Sequence, residues 1–372
     1  TVDRDWNPPN DPRTYPPYNP RPGANGEVLA VVVQPDERQI IGGAFTAYNT
    51  MARNRVARIN QDGSNDASFD IGTGANDYIA ALALYPQNNP TNAGKIIIAG
   101  NFTSFNSREA FRIARLNPDG TLDATFRPGD GANAPIRSVS LQSDGKIIVV
   151  GEFTQFNGEA RNRIARLNED GSVDLSFEPG FGADDTVWSV DVRDTPKNIF
   201  VPRSATGNEY EDVNIIDSGA TEGTVTINYD FYSIPDSIRV FYQGQRLLNL
   251  FTNGAGQRVI PYGPGTNTEV TIIMHQGIGL QGTEWEYKIN ITPVVRERTI
   301  FVGGDFASIN GQPRYGIARL RDNGTLDDTF DPHAGADNTV YAVAVQADGK
   351  VLIGGAFTDI DFRSRNGIAR LL

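Results

Sequence analysis

The chain has 372 residues with 39 glycines, 22 prolines and no cysteine, a composition that suits turn-rich β structure and excludes disulfides and thiolate metal sites. Its net charge is −12, and its 33 basic residues recur at intervals instead of clustering, which argues against nucleic acid or an anionic membrane as a partner. No run of 18 apolar residues occurs, so no membrane-spanning helix is predicted, and any targeting segment is expected to be missing from this sequence.

In chain order, Val2-Asp-Arg-Asp-Trp6-Asn-Pro8 matches Leu122-Asp-Ala-Thr-Phe126-Arg-Pro128 position for position. This predicts that the first residues supply a strand that the last repeat lacks, closing a ring without an unpaired edge. Residues 7–22 hold seven prolines and predict a stiff surface excursion, either a plain loop or a contact arm.

The aromatic residue of a Gly-x-Phe-Thr motif or close variant recurs as Phe45, Phe102, Phe153, Phe306 and Phe357, at spacings of 57, 51, 153 and 51. The unit is therefore 51 residues, once lengthened by six residues around Pro86–Ala93 and once by 102 residues, a period that signals a repeat architecture. Within a unit, Val139–Gln142, Lys146–Val150 and Arg163–Asn168 are short runs rich in branched residues. Ser143-Asp-Gly145 joins the first two as a hairpin turn, and Val173–Phe177 is predicted as a fourth strand. Four antiparallel strands per unit define a propeller blade, and the chain is read as an all-β, five-bladed β-propeller.

The 102-residue excess falls between Asp194 and Thr299, at the turn that other units fill with Ser143-Asp-Gly145 or Ala347-Asp-Gly349. The predicted organisation is residues 1–194 as the first part of the propeller, 195–298 as an insert, and 299–372 as the remainder. Inside the insert, Thr224–Phe231, Ser237–Tyr242, Arg258–Tyr262, Glu269–Ile273 and Trp285–Ile291 alternate polar and apolar, which predicts a small β-sandwich inserted in a blade hairpin.

The phrases Asp-Gly-Lys-Ile-Ile (144–148), Gly-Glu-Phe-Thr (151–154), Arg-Asn-Arg-Ile-Ala-Arg-Leu-Asn (161–168) and Asp-Gly-Ser-Val-Asp-x-x-Phe (170–177) resemble the delta-60 repeat of a β-propeller family. The resemblance covers residues 1–194 and 299–372. It implies a propeller acting outside the cytoplasm, in secreted bacterial or phage-borne proteins, and carries no catalytic motif. The insert resembles, more loosely, sandwich modules of bacterial surface and phage proteins.

Arg58, Arg115, Arg166, Arg319 and Arg370 stand thirteen residues after each motif Phe. Asp66, Asp123, Asp174 and Asp327 follow their Arg by eight, and Asp3 takes that place for Arg370 across the closure. Five repetitions point to structural, bidentate, partly buried pairs and not to a ligand site. The repeated phenylalanines are assigned to the core for the same reason.

Function is expected where the repeats differ. The x of Gly-x-Phe is Ala44, Asn101, Glu152, Asp305 and Ala356. Glu152 and Asp305, in adjacent units, have the makings of a glycosidase pair, although solvated strand ends account for them as well. The only histidines, His275 and His333, assemble no triad or metal set. Asp184-Asp185 and Asp327-Asp328 are candidates for Ca²⁺ but lack the spaced ligands of a calcium loop; no other cofactor is indicated. In the insert, Tyr232, Tyr242 and Trp285, with Asp236 and Gln243, are a candidate sugar-stacking face beside the plainer reading that they are core.

The expectation drawn from these features is a non-enzymatic, extracellular or virion-surface module. The insert would meet a host-surface or matrix glycan or a cell-surface receptor, in the manner of a phage tail fibre or adhesin. The alternative is a structural spacer or decoration protein that contacts neighbouring copies, and a glycosidase using Glu152 and Asp305 is the lesser alternative.

Overall fold

The computed structural model describes residues 6, 22–198, 201–207, 210–218, 220–263, 265–275 and 284–372. The chain is all-β among these residues and divides into two compact units, residues 1–193 with 298–372 and residues 194–297. The strands Val187–Asn198 and Trp285–Gly304 each run through a unit boundary.

The larger unit repeats one three-stranded antiparallel sheet. In the third sheet, Ile136–Leu141 pairs with Ile147–Gly151, which pairs with Ile164–Leu167. The middle strand is a continuous apolar run because both of its faces are covered: Ile147 and Val149 enter the core shared with the second sheet, and Ile148 and Val150 the core shared with the fourth. The turn after Leu141 is closed by Gln142 N–H donating to the Lys146 carbonyl at 2.8 Å, with Gly145 at φ 85°. The first sheet is built from Val28–Val33, Gln39–Gly43 and Val56–Ile59, and the second from Ile79–Leu84, Ile96–Gly100 and Ile113–Leu116. The fifth is built from Val340–Val345, Val351–Gly355 and Ile368–Leu371. In the fourth, the end of Trp285–Gly304 pairs with Ile317–Arg321.

An Asx side chain pins each sheet to a small hairpin that follows it. Asn133 Oδ1 accepts from the amides of Thr154 and Gln155, and Asn25, Asn76, Asp184 and Asp337 do the same in their units. This accounts for Asp184 without a calcium ion.

The fourth strand expected at Val173–Phe177 is a single bridge, Leu167 to Val173, followed by a turn. Asp174 Oδ1 accepts from both the amide and the hydroxyl of Ser176, at 3.0 and 2.7 Å, and so folds the segment back after one pairing. Phe177 then enters the core between the third and fourth sheets.

Successive sheets share cores: first with second, second with third, third with fourth, and fourth with fifth. Among the described residues, no core joins the fifth sheet to the first, and Val28, Val31 and Ile368 on the two end faces are exposed. The expected closure of five blades is therefore not seen. Its proposed closing segment, residues 2–5, lies outside the described residues, as does the proline-rich stretch 7–21.

The smaller unit has two antiparallel sheets over one core. In one, Val201–Gly207, residues 285–292, Gly223–Asp230 and Ala255–Tyr262 are neighbours. In the other, the order is Asp212–Asp217, Glu269–Met274, Asp236–Tyr242 and Gln245–Thr252. Residues of both sheets, including Ile227, Phe231, Val240, Ile272 and Ile289, fill the single core.

Candidate functional site

The first strand of four of the sheets carries a bulge at one repeat position. Register shifts fall between Val28 and Ala30, Ile79 and Ala81, Ile136 and Ser138, and Val340 and Ala342. The extra residues are Leu29, Ala80, Arg137 and Tyr341, and Trp188 holds the corresponding place in the fourth unit. A bulge re-aims the side chain it adds, and here the re-aimed residues differ widely from unit to unit, while the residue before is always Val or Ile and the residue after always Ala or Ser.

Three of these side chains, Arg137, Trp188 and Tyr341, meet. The Arg137 guanidinium lies 4.6 Å from the Trp188 ring centroid and 5.7 Å from that of Tyr78. Tyr341 meets Trp188 edge-on, with centroids 5.9 Å apart and planes at 74°. The variable Gly-x-Phe residues stand beside them: Arg137 Nε donates to Glu152 Oε1 at 2.7 Å, and Nη2 donates to the same oxygen. Trp188 Nε1–H donates to Asp305 Oδ2 at 2.7 Å, and the Thr339 hydroxyl donates to Asp305 Oδ1. Asn101 donates to Asp77 at 2.7 Å, next to Tyr78. Burial pushes the Tyr78 phenol above its usual range. Glu152, Arg137 and Trp188 are half-buried and Asp305 is exposed, so the cluster is open to a ligand and is fixed from within by its own hydrogen bonds.

Spacing pointed to Glu152, Asp305 and Asn101 but not to Arg137, Trp188, Tyr341 or Tyr78. The missed signal is that the bulge residues stand sixteen residues before each motif Phe once the two insertions are discounted, a second column in which the repeats disagree.

The stacking face expected on the insert is corrected by the burial of its members. Tyr242 is 6% exposed and donates its hydroxyl to the Thr221 and Asn267 carbonyls at 2.6 and 2.7 Å. Trp285 is stacked on Tyr287 inside the core, with centroids 5.6 Å apart. Asp236 is buried with Oδ2 2.7 Å from His275 Nδ1. Tyr232 and Gln243 are exposed, and Gln243 donates to Thr266 Oγ1 at 2.9 Å. Core packing took the aromatic rings that a sugar face would need.

The repeated pairs form a clamp that differs from the bidentate form expected. Arg58, Arg115, Arg166 and Arg319 each give Nε to Oδ2 of Asp66, Asp123, Asp174 and Asp327, at 2.7, 2.7, 2.7 and 2.8 Å. Nη2 goes instead to the hydroxyl of Ser68, Thr125, Ser176 or Thr329, because that hydroxyl is held by the other carboxylate oxygen. Nη1 of Arg58, Arg115 and Arg166 reaches the backbone carbonyl of Pro118, Glu169 and Asp322 in the next unit. Each guanidinium also lies over the following aromatic, from 4.8 Å for Arg58 on Phe69 to 5.2 Å for Arg319 on Phe330. Asp327 is thus engaged, which corrects its candidacy for Ca²⁺. Among the described residues no group of three or more metal-ligating side chains occurs. Asp3 lies outside the described residues, and Arg370 lines a cavity of about 450 Å³ with Phe330, Ile360 and Arg365.

The repeats are similar to those of a β-propeller family. A family model described as a domain of unknown function (DUF5122) β-propeller matches residues 34–69, 94–126, 142–177, 298–330 and 346–372. No curated protein matches the chain. Among solved structures, it is similar to a glycoside hydrolase family 43 arabinoxylan arabinofuranohydrolase from Bacillus subtilis in complex with cellotetraose. The identity is 14%, 76% of this chain and 69% of that one are covered, and the TM-score is 0.20. It is also similar to an exo-β-1,3-galactanase from Phanerochaete chrysosporium with galactose, at 11% identity, 73% and 70% coverage and a TM-score of 0.22.

The expectation of a non-enzymatic display module is corrected here. The insert has lost the stacking face on which display was expected to rest, since Tyr242, Trp285 and Asp236 are buried. The chemistry of this chain must be supplied by its own residues, because solved structures with TM-scores of 0.20 and 0.22 carry no argument for it.

Proposed function

We propose that the bulge-row cluster of the larger unit binds a carbohydrate and cleaves a glycosidic bond. The observation that carries this reading is a non-repeated constellation in a repetitive unit: Arg137 between Tyr78 and Trp188, Tyr341 against Trp188, and the carboxylates of Glu152 and Asp305 fastened to that platform. Aromatic faces cover the apolar face of a sugar ring. Two carboxylates flanking the scissile bond divide the remaining work: one protonates the leaving oxygen, and the other attacks the anomeric carbon or activates water. In this reading Glu152 is the nucleophile or base and Asp305 the acid.

Finer readings accompany this one. The five repeats are delta-60 blades about one axis, the insert is a β-sandwich carried on a blade hairpin, and the protein acts outside the cell on a surface or matrix glycan. Recurrence of the family match supports the blade reading, and the single two-sheet core of the insert supports the sandwich.

The test is to incubate the intact protein with a panel of oligosaccharides, following both binding and the release of reducing ends. Hydrolysis should fall about 10²–10⁴-fold in Glu152→Gln and in Asp305→Asn while binding persists, and Trp188→Ala should abolish binding. If no member of the panel is bound or cut, or if cleavage survives both carboxylate substitutions, the reading is wrong.

A further inference from the structure

The four internal contacts between sheets use the same positions each time. On the side facing the preceding sheet, Ile79, Ile136, Val187 and Val340 are all 0% exposed, whereas their counterpart in the first sheet, Val28, is 46% exposed. Leu82, Val139, Val190 and Val343 are 6–9% exposed, whereas Val31 is 59% exposed. On the side facing the following sheet, Val56, Ile113, Ile164 and Ile317 are 0% exposed, whereas Ile368 in the fifth sheet is 66% exposed. Ala342 and Ala344 on that side are exposed too, although Ala81 and Ala83 at the same places are buried. The chain thus presents both halves of its own recurring interface, uncovered, one at each end. An apolar row of this kind on an exposed sheet marks a contact surface.

We infer that a second copy of this chain covers these faces, head to tail, with the first-sheet face of one copy packed on the fifth-sheet face of the next. The identity of the occupant follows from the interface itself. Any sheet that fits Val28 and Val31 must offer what Val56, Ala81, Ile113 and their counterparts offer internally, and the free surface built that way is the Ala342, Ala344 and Ile368 face. Within one molecule the two faces share no core among the described residues, and a second copy offers the complementary face. Such a contact is heterologous, and it makes a ring where the rotation closes and an open chain where it does not. The bulge row starts on the same inner strands, so each added copy extends that row.

The experiment is light scattering and sedimentation on the full chain, on Val31→Asp, on Ile368→Asp, and on an equimolar mixture of the two. Val31→Asp keeps only a working fifth-sheet face, and Ile368→Asp only a working first-sheet face. The wild type should associate, each variant alone should run as one chain, and the mixture should form a dimer and nothing larger. Both positions are exposed, so both variants should keep the wild-type circular dichroism spectrum. If one does not, Val28→Asp or Ala344→Asp takes its place on the same face. A wild type that is a single chain at every concentration would overturn the inference in favour of closure within the molecule. Association that survives either substitution, or a mixture that stays monomeric, would overturn it as well.

Discussion

The Asp66, Asp123, Asp174 and Asp327 carboxylates each hold an Arg, a hydroxyl and an amide at once. Burial raises the Asp66 carboxyl, but the Ser68 hydroxyl and amide and the Arg58 guanidinium outweigh it and hold the group at about 2. A further cation meets each of three carboxylates, Arg38 at Asp66, Lys95 at Asp123 and Lys146 at Asp174, and Asp123 and Asp174 are held lower still. A carboxyl depressed in the folded state adds stability above its unfolded value and loses it as pH falls through the folded one. The urea midpoint should therefore decline as pH drops below about 4 and continue to decline towards 2 as Asp66 protonates. Replacing one partner, as in Asp174→Ala, leaves the buried Arg166 with only the Asp322 carboxylate, at 3.2 Å from Nη1, and should cost up to about 3–5 kcal/mol, measured by denaturant unfolding at neutral pH. The eight-residue spacing was enough to find these pairs in the sequence. Their single-oxygen geometry was not legible, because it depends on the hydroxyl two residues after each Asp, a Ser in two units and a Thr in the others.

At the scale of the element, hydrophobic runs located the middle strands well, because a strand covered on both faces reads as uninterrupted branched residues. Alternation failed for Val201–Gly207, Asp212–Asp217 and Gln245–Thr252 of the smaller unit. Asn214, Asn249 and the exposed Val213, Ile215 and Phe251 blur the period of the last two. It failed at the bulges too: one added residue shifts the phase, so Arg137 and Trp188 sit where an unbroken strand would put core. The turns carry their own constraint. Gly171 has φ 92°, and an added Cβ would lie 2.9 Å from Phe126, which itself packs between the second and third sheets. Gly171→Ala should cost about 1 kcal/mol or more, visible as a lowered thermal midpoint, whereas Gly158→Ala, with open space around it, should pay only for its positive φ. Replacing residues 194–297 with a Ser-Asp-Gly turn should leave the remaining unit folded, with a cooperative melt and an unchanged β-type spectrum. Loss of cooperativity would show that the larger unit needs the smaller one.

For the molecule as a whole, the repeat made the number of sheets readable, since five aromatic anchors in one register announce five sheets. Whether the last sheet reaches the first was not readable. It depends on the angle accumulated from sheet to sheet, a property of packing that no single repeat encodes. One feature of that packing bears on how such proteins grow. At three joints the guanidinium that ties one unit to the next lands on a backbone carbonyl, at Pro118, Glu169 and Asp322. Every residue type offers a carbonyl, so a neighbour need not match its predecessor in side chain at that contact. A gene that duplicates one such unit acquires a joint that already fits, and selection is left to act on the bulge residue alone, rewriting what the surface recognises one sheet at a time.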